Sequence, residues 1–183
     1  MHFEYTEEQL MAQQSARELA QRDFITDAVE RDTHAIFPAE HVKKLAELGF
    51  MGMQVDPAYD GTGMDTVSYV LALEEISKVD SSLAVIMSVN NSLVSWPLEN
   101  YATEEQKEKY LKPLARGEKI GAFLLSEPEA GSDATQQRTI AEDKGDYYLI
   151  NGTKNWITNG HSASTYVLIA QTDPDKGHKG ISA

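Results

Sequence analysis

The chain has 183 residues, a net charge of −13 at pH 7, 41% hydrophobic residues and no cysteine. So much negative charge argues against a nucleic-acid-binding surface, because basic patches supply most of the affinity for nucleic acid. The lack of cysteine excludes disulfides and thiolate metal sites and favours a reducing compartment. No apolar run is long enough to cross a bilayer, and the first residues form neither a basic nor an apolar targeting segment. We therefore expect a cytoplasmic protein that binds neither nucleic acid nor membrane.

The first two thirds of the chain have helical patterns. Capping-box sequences at residues 6–9 and 103–106 predict two helix starts, and Asp65 predicts a third. A helix is expected to stop at Gly49. Residues 81–93 are mostly apolar or small, which predicts a helix that is buried on most sides.

The pattern changes near Ile120. Three later runs have the length and composition of strands: residues 120–125, 147–150 and 165–170. Turn-forming residues at 143–146 and 151–152 predict hairpins between them. The fold class is therefore α+β, with an all-helical domain in residues 1–118 and the first strands of an antiparallel sheet in residues 119–183. About four strands are expected, too few to cover the faces and edges of a sheet.

The common catalytic and metal-binding patterns are absent. The five histidines show no metal-ligand spacing, and His41 is placed on the polar side of its helix, which favours a surface histidine. Glu74 and Glu75 are adjacent in a helix and so point apart, as do Glu104 and Glu105, which argues against paired acid–base chemistry. We assign no catalytic residue.

Two segments have features of a ligand site. Residues 123–133 are an apolar strand followed by a turn whose N–H and hydroxyl groups suit an anionic or carbonyl ligand, although an ordinary strand-to-loop connection is the simpler interpretation. In residues 151–160 a turn leads into strand alternation that puts Trp156 and Thr158 on one face, which suits a planar heteroaromatic ligand. The alternative is a tryptophan in the core of the sheet.

These two segments closely resemble the flavin-binding sequences of acyl-CoA dehydrogenases. The first is Ser-Glu-Pro-Glu-Ala-Gly-Ser-Asp at residues 126–133, and the second is Asn-Gly-Thr-Lys-Asn-Trp-Ile-Thr at residues 151–158. Two helical landmarks agree in order and spacing, Leu-Gly-Phe-Met-Gly at residues 48–52 and Met-Ser-Val-Asn-Asn-Ser-Leu at residues 87–93. Together the four motifs are spread over nearly the whole chain, and their sequences are most similar to those of the short-chain, butyryl-CoA-like branch.

The resemblance implies FAD as cofactor, an acyl-CoA thioester as substrate, an electron-transfer flavoprotein as partner and a homotetramer. In this family a helical domain, a β-barrel domain and a second helical domain enclose the cofactor. A carboxylate removes the α-proton of the thioester while the β-hydrogen leaves as hydride to the flavin, so the protein orients and tunes the cofactor. Family members are about twice as long as this chain, and their catalytic glutamate lies in the carboxy-terminal domain.

The resemblance also places eight residues at the cofactor: Phe123, Leu125, Ser126, Gly131, Ser132, Trp156, Ile157 and Thr158. The strand residues would lie along the flavin ring, with the Ser126 hydroxyl at its polar edge. Trp156 would pack by the flavin, and Thr158 would hydrogen-bond near N5. Gly131 and Ser132 would approach the FAD phosphates and the CoA moiety, and Ser132 is the best single candidate for a substrate contact.

Some positions depart from the family pattern, and three interpretations stay open. Glu129 stands where glycine is frequent, which would be mildly repulsive near phosphates, and Asp60 replaces a common glycine. The chain is interpreted as part of a short-chain acyl-CoA dehydrogenase. The alternatives are a non-catalytic acyl- or partner-binding fragment, and a relative with acyl-CoA oxidase or flavin monooxygenase chemistry.

Overall fold

A computed structural model describes residues 4–183, and the helical part comes first in the chain. Its α-helices are α1 (Glu7–Leu19), α2 (Ala28–His34), α3 (Ala39–Glu47), α4 (Thr66–Ser77), α5 (Ser81–Ser88), α6 (Trp96–Tyr101), α7 (Glu104–Gln106) and α8 (Lys112–Ala115). Three π-helical segments continue these helices: Ala20–Phe24, Val89–Ser95 and Lys107–Leu111.

The ends of the helices follow the local sequence signals. The Thr6 hydroxyl accepts from the Gln9 N–H at 3.2 Å, and the Gln9 side chain accepts from the Thr6 N–H at 3.0 Å, which confirms the first capping box. The box at Thr103 is confirmed in the same way. Asp65 caps α4 through the Ser68 N–H at 2.7 Å. Gly49 follows α3 with φ of 76°, a left-handed conformation that glycine adopts without steric cost.

The main core is formed by α1, α3, α4 and α5. Its largest fully buried side chains include Phe24, Leu45, Met51, Ile76, Leu83 and Met87. Residues 81–93 form α5 and part of its π-helical extension and are mostly buried, as predicted.

Two adjacent asparagines tie this long helix to its neighbours. The Asn90 amide donates to the carbonyls of Met51 and Leu114, and the Asn91 amide donates to those of Phe50 and Met87. Both side chains are buried, and the four bonds give every amide proton of the two asparagines an acceptor inside the core.

The prediction of a surface position for His41 is wrong. His41 is buried, its ring centroid lies 5.0 Å from that of Phe24, and its Nε2 lies 2.9 Å from Asp27 Oδ1. Burial lowers the pKa of His41, and the nearby Arg31 and Lys44 lower it further. Helical spacing identified the polar side of α3, but it gave no sign that α2 and its Asp27 would cover that side.

The strands follow the helices, which confirms the order predicted from sequence. They are β1 (Gly121–Leu124), β2 (Ile140–Asp143), β3 (Tyr148–Asn151), β4 (Thr165–Leu168), β5 (Ala170–Gln171) and β6 (Ile181–Ser182). β1 pairs with β4 in parallel, and the second sheet has the order β3-β2-β5-β6 with a parallel β2–β5 pair. The pairing is thus mixed, whereas an antiparallel sheet was expected.

One predicted hairpin is present and the other is not. β2 and β3 pair antiparallel across the turn at residues 143–146, as predicted. The hairpin predicted at residues 151–152 is wrong, because after β3 the chain enters an irregular segment, residues 152–164. Gly152 lies so close to Thr139 that a Cβ there would be 2.2 Å from the threonine hydroxyl.

Two kinds of feature are absent from residues 4–183. No helix in this range is long and apolar enough to span a membrane. No group of three or more histidine and acidic side chains in it could hold a metal ion.

Candidate functional site

Six of the eight residues predicted at a cofactor line one cavity of about 260 Å³, which we name the Trp156 cavity. Its walls are Phe123, Leu125, Ser126, Trp156, Ile157 and Thr158, together with Val89 and Leu93. A larger cavity, of about 590 Å³ between α6 and β4, contains none of the eight. The convergence of two distant segments, rather than size, therefore selects the Trp156 cavity as the candidate site.

β1 reaches this cavity because its start is held against the helical region. The Gly121 N–H donates to Asn90 Oδ1 at 2.9 Å, and the Asn159 amide donates to the Gly121 carbonyl at 3.0 Å. A Cβ at Gly121 would lie 2.6 Å from Val94, so only glycine permits this approach. The end of β1 is thereby placed beside Val89 and Leu93 on the π-helical segment.

Trp156 differs from its predicted conformation. Residues 156–158 form no strand, Trp156 has φ of 58°, and its side chain is 93% exposed. Both the strand alternation and the alternative of a tryptophan in the sheet core are therefore wrong, although Trp156 and Thr158 do line the same cavity. A left-handed conformation costs a non-glycine residue about 1–2 kcal/mol, and such strain is concentrated at functional sites.

Several hydrogen-bond donors at the cavity have no partner within residues 4–183. These are the backbone N–H groups of Ser126, Ile157 and Thr158 and the hydroxyls of Ser126 and Thr158. A planar ring with carbonyl and ring-nitrogen acceptors at its edge and apolar faces would satisfy the donors while packing on Phe123 and Trp156. The residues present thus fit an isoalloxazine ring.

A buried ion pair lies behind the cavity. Lys154 Nζ donates to Glu127 Oε1 at 2.7 Å, and the two side chains are 7% and 2% exposed. The same ammonium donates to the Leu125 carbonyl at 3.0 Å and to Gln137 Oε1 at 2.9 Å, so each of its three protons has an acceptor. Nearby, the Asn155 N–H donates to the Ser126 carbonyl at 2.8 Å.

Glu127 is held ionised by this arrangement. Burial raises the pKa of its carboxyl, but the hydrogen bonds from Lys154, from Thr139 and from the backbone of Arg138 outweigh burial and lower the pKa to about 2. The Arg138 N–H donates at 2.6 Å and the Thr139 N–H at 3.1 Å. A charged carboxylate is therefore a fixed structural group here.

Gly131 and Ser132 lie outside the Trp156 cavity. They follow a tight turn in which the Glu127 N–H donates to the Ala130 carbonyl at 2.9 Å, and both are exposed. A Cβ at Gly131 would meet nothing within 4 Å. Glu129, on the same turn, is half-exposed and lies 3.8 Å from Arg138. The predicted contacts of Gly131 and Ser132 with phosphates or CoA stay predictions.

The sequence predicted only part of the site. Val89 and Leu93 were missed as lining residues, although their spacing of four residues in a predicted helix put them on one face. The second motif contains Lys154, but the sequence did not predict its role. Charged side chains are rarely buried, and no local pattern identifies Glu127 as the partner.

The cavity is suited to binding rather than to proton transfer. None of its eight lining residues carries a carboxylate, an imidazole or an amine. These residues offer apolar side-chain faces, hydroxyl groups and backbone N–H donors, which can hold and orient a planar ring.

The chain matches two family models over almost its entire length. Residues 6–118 match the model described as "Acyl-CoA dehydrogenase, N-terminal domain". Residues 122–183 match the model described as "Acyl-CoA dehydrogenase, middle domain".

Individual relatives agree with these models. The chain is 48% identical over 183 residues to "Acyl-CoA dehydrogenase, short-chain specific" of Clostridium acetobutylicum, with 100% of this chain and 48% of the relative covered. Butyryl-CoA dehydrogenase from Megasphaera elsdenii is similar with a TM-score of 0.95 and 40% identity, over 99% of this chain and 48% of that one. A chain of the structure described as "Electron transferring flavoprotein of Acidaminococcus fermentans" gives a TM-score of 0.96 and 46% identity, over 100% and 48%. The chain thus spans about half the length of the relatives it matches.

Proposed function

Because the chain belongs to the acyl-CoA dehydrogenase family, we propose that it supplies the helical region and the flavin-facing strands of an FAD-dependent enzyme that dehydrogenates acyl-CoA thioesters. The observation that carries this proposal is the convergence of six predicted flavin contacts on the Trp156 cavity. We further propose that a helical domain occupies residues 1–118 and that a β domain begins at residue 119.

Each side chain has a proposed role. Phe123 and Leu125 provide an apolar wall for the flavin ring, and the exposed Trp156 covers it from the other segment. Ser126 and Thr158 donate hydrogen bonds to its polar edge. FAD, when bound, supplies the hydride acceptor for oxidation of the acyl chain.

The remaining parts of the reaction are proposed from the family. Ser132 and Gly131 hold the CoA and phosphate groups near the exposed turn. The carboxylate that removes the α-proton lies, as in the family, in a carboxy-terminal domain, and we therefore assign no catalytic residue within residues 1–183. An electron-transfer flavoprotein accepts the electrons, the assembly is a homotetramer, and the location is cytoplasmic.

A short acyl chain is the proposed substrate class. The C. acetobutylicum relative is named short-chain specific, and the M. elsdenii relative is a butyryl-CoA dehydrogenase.

The binding role of the Trp156 cavity is tested by FAD affinity. In a protein of the full length of its relatives, Trp156→Leu should weaken FAD binding by roughly 5- to 30-fold, because an aromatic side chain stacked on a planar ring contributes on the order of 1–2 kcal/mol. Trp96→Leu is the control, since Trp96 is the other tryptophan of the chain, is half-exposed and lies on α6 outside the cavity. Equal FAD affinity in the two variants would contradict the proposed site.

The alternatives are separated by turnover measurements. Oxygen consumption stoichiometric with acyl-CoA oxidation would favour an oxidase or monooxygenase. Binding of acyl-CoA with neither oxygen consumption nor flavin reduction would favour a non-catalytic binding protein.

A further inference from the structure

Lys154 connects all the segments to which flavin contacts are assigned. We define the Lys154 network as Lys154, its acceptors Glu127 and Gln137, and the Leu125 carbonyl. Its bond to the Leu125 carbonyl reaches the residues just after β1. Lys154 itself belongs to the segment that contains Trp156. Through Gln137, whose amide donates to the Ala134 carbonyl at 2.8 Å, it reaches the loop after Ser132.

The network also acts on a donor that lines the Trp156 cavity. The Leu125 carbonyl and the Ser126 N–H belong to the same peptide unit, so a cation bonded to the oxygen draws electron density from the nitrogen. A charge-assisted bond from Lys154 therefore strengthens the Ser126 N–H as a donor. That N–H has no acceptor within residues 4–183.

We propose that Lys154 is a positioning residue that fixes the cofactor-facing segments relative to one another and, through the Leu125 carbonyl, strengthens the Ser126 N–H toward a bound flavin. This inference rests on the proposed function. Reduced flavin is more electron-rich at its polar edge than oxidised flavin, so a stronger donor there binds the reduced form more tightly and raises the midpoint potential.

A structural role and a tuning role predict different results for paired variants. Lys154→Met leaves Glu127 charged, buried and without its cation, which should destabilise the protein strongly. Lys154→Met combined with Glu127→Gln removes both charges and keeps an acceptor for the N–H groups of Arg138 and Thr139, so it should recover most of the stability. Neither variant has an ammonium on the Leu125 carbonyl.

The experiment uses the FAD-containing protein at the full length of its relatives. The melting temperature, the dissociation constant of oxidised FAD and the midpoint potential are measured for each variant. In the double variant we expect near-normal melting but a reduced-to-oxidised affinity ratio about tenfold lower, which is about 30 mV more negative for a two-electron couple. The single variant Lys154→Arg keeps the positive charge, so its midpoint potential should stay close to that of the wild type.

Lys144→Met is the control, because Lys144 forms an exposed ion pair with Glu142 on the β2–β3 hairpin, and it should leave the potential unchanged. A double variant that holds FAD at the wild-type potential would overturn the proposed role of Lys154 while leaving the proposed function intact. A wild-type protein that retains no FAD would contradict both.

Discussion

Two buried carboxylates stand out at the scale of single residues. Glu75 is 4% exposed and accepts from Arg17 Nη2 at 2.9 Å and from Lys78 Nζ at 2.9 Å. The hydrogen bond from Arg17 is the largest cause of its lowered pKa, and together with Lys78 it outweighs burial, so the pKa falls from an ordinary 4.5 to about 2. Glu127 has a similarly lowered pKa behind the Trp156 cavity.

Loss of the Glu75 charge should destabilise the fold. Glu75→Gln weakens its bonds with Arg17 and Lys78, and we expect the free energy of unfolding to fall by about 1–3 kcal/mol at pH 7. Glu74→Gln is the matched control, because the adjacent Glu74 is half-exposed and, within residues 4–183, pairs only with Lys78, so it should change stability by less than about 0.5 kcal/mol. Urea unfolding of both variants measures the difference, and equal losses would show that burial of Glu75 does not matter.

The same carboxylates set an acid limit to stability. A group whose pKa is lower in the folded than in the unfolded state stabilises the protein above its unfolded pKa, and this contribution is lost as pH falls toward the folded pKa. For Glu75 and Glu127 the loss runs from about pH 4.5 down to about pH 2. Unfolding measured across this range should show a smaller loss for Glu75→Gln than for the wild type. An equal loss of unfolding free energy with falling pH in the two proteins would contradict the lowered pKa of Glu75.

Among the elements, the π-helical segment Val89–Ser95 connects the helical region to the strands. Asn90 bonds to residues of three other elements: the segment after α3, α8 and β1. Because Gly121 is one of its partners, the position of the strand at the Trp156 cavity depends on this side chain.

Truncation of Asn90 should therefore be costly. Asn90→Ala leaves the Met51 and Leu114 carbonyls and the Gly121 N–H without this partner, and we expect a loss of about 3 kcal/mol in the free energy of unfolding. Asn100→Ala is the control, because the exposed Asn100 side chain bonds, among the described residues, only to the Trp96 carbonyl of its own helix. The melting temperatures of the two variants test this, and similar values would show that Asn90 is not a connecting residue.

The elements also show what sequence can predict. Helix starts at Thr6 and Thr103 were predicted correctly because a capping box is complete within four residues. The β1–β4 pair joins residues more than forty positions apart, so no local signal gave its parallel direction. The left-handed Trp156 was missed because the alternation of side chains around it is typical of a strand. The two residues before it, Lys154 and Asn155, bond to the residues that follow β1, and no local pattern predicts those contacts.

At the scale of the whole molecule, the helical region and the region of strands have different sequence patterns, and together they form the Trp156 cavity. The family and the order of helices and strands follow from motifs that can be recognised one by one. The Trp156 cavity requires the helix at Val89, the end of β1 and the irregular segment to meet, and hydrogen bonds of Asn90, Asn159 and Lys154 bring them together. Those bonds join side chains to distant backbone atoms, which sequence patterns do not encode.

The proposed dehydrogenase activity is tested most directly by anaerobic reduction of the bound flavin. The protein at the full length of its relatives is purified with FAD, and butyryl-CoA is added without oxygen while the visible flavin absorption is recorded. The account predicts rapid bleaching with butyryl-CoA and weaker bleaching as the acyl chain lengthens. A flavin spectrum that stays unchanged with every acyl-CoA tested would contradict it.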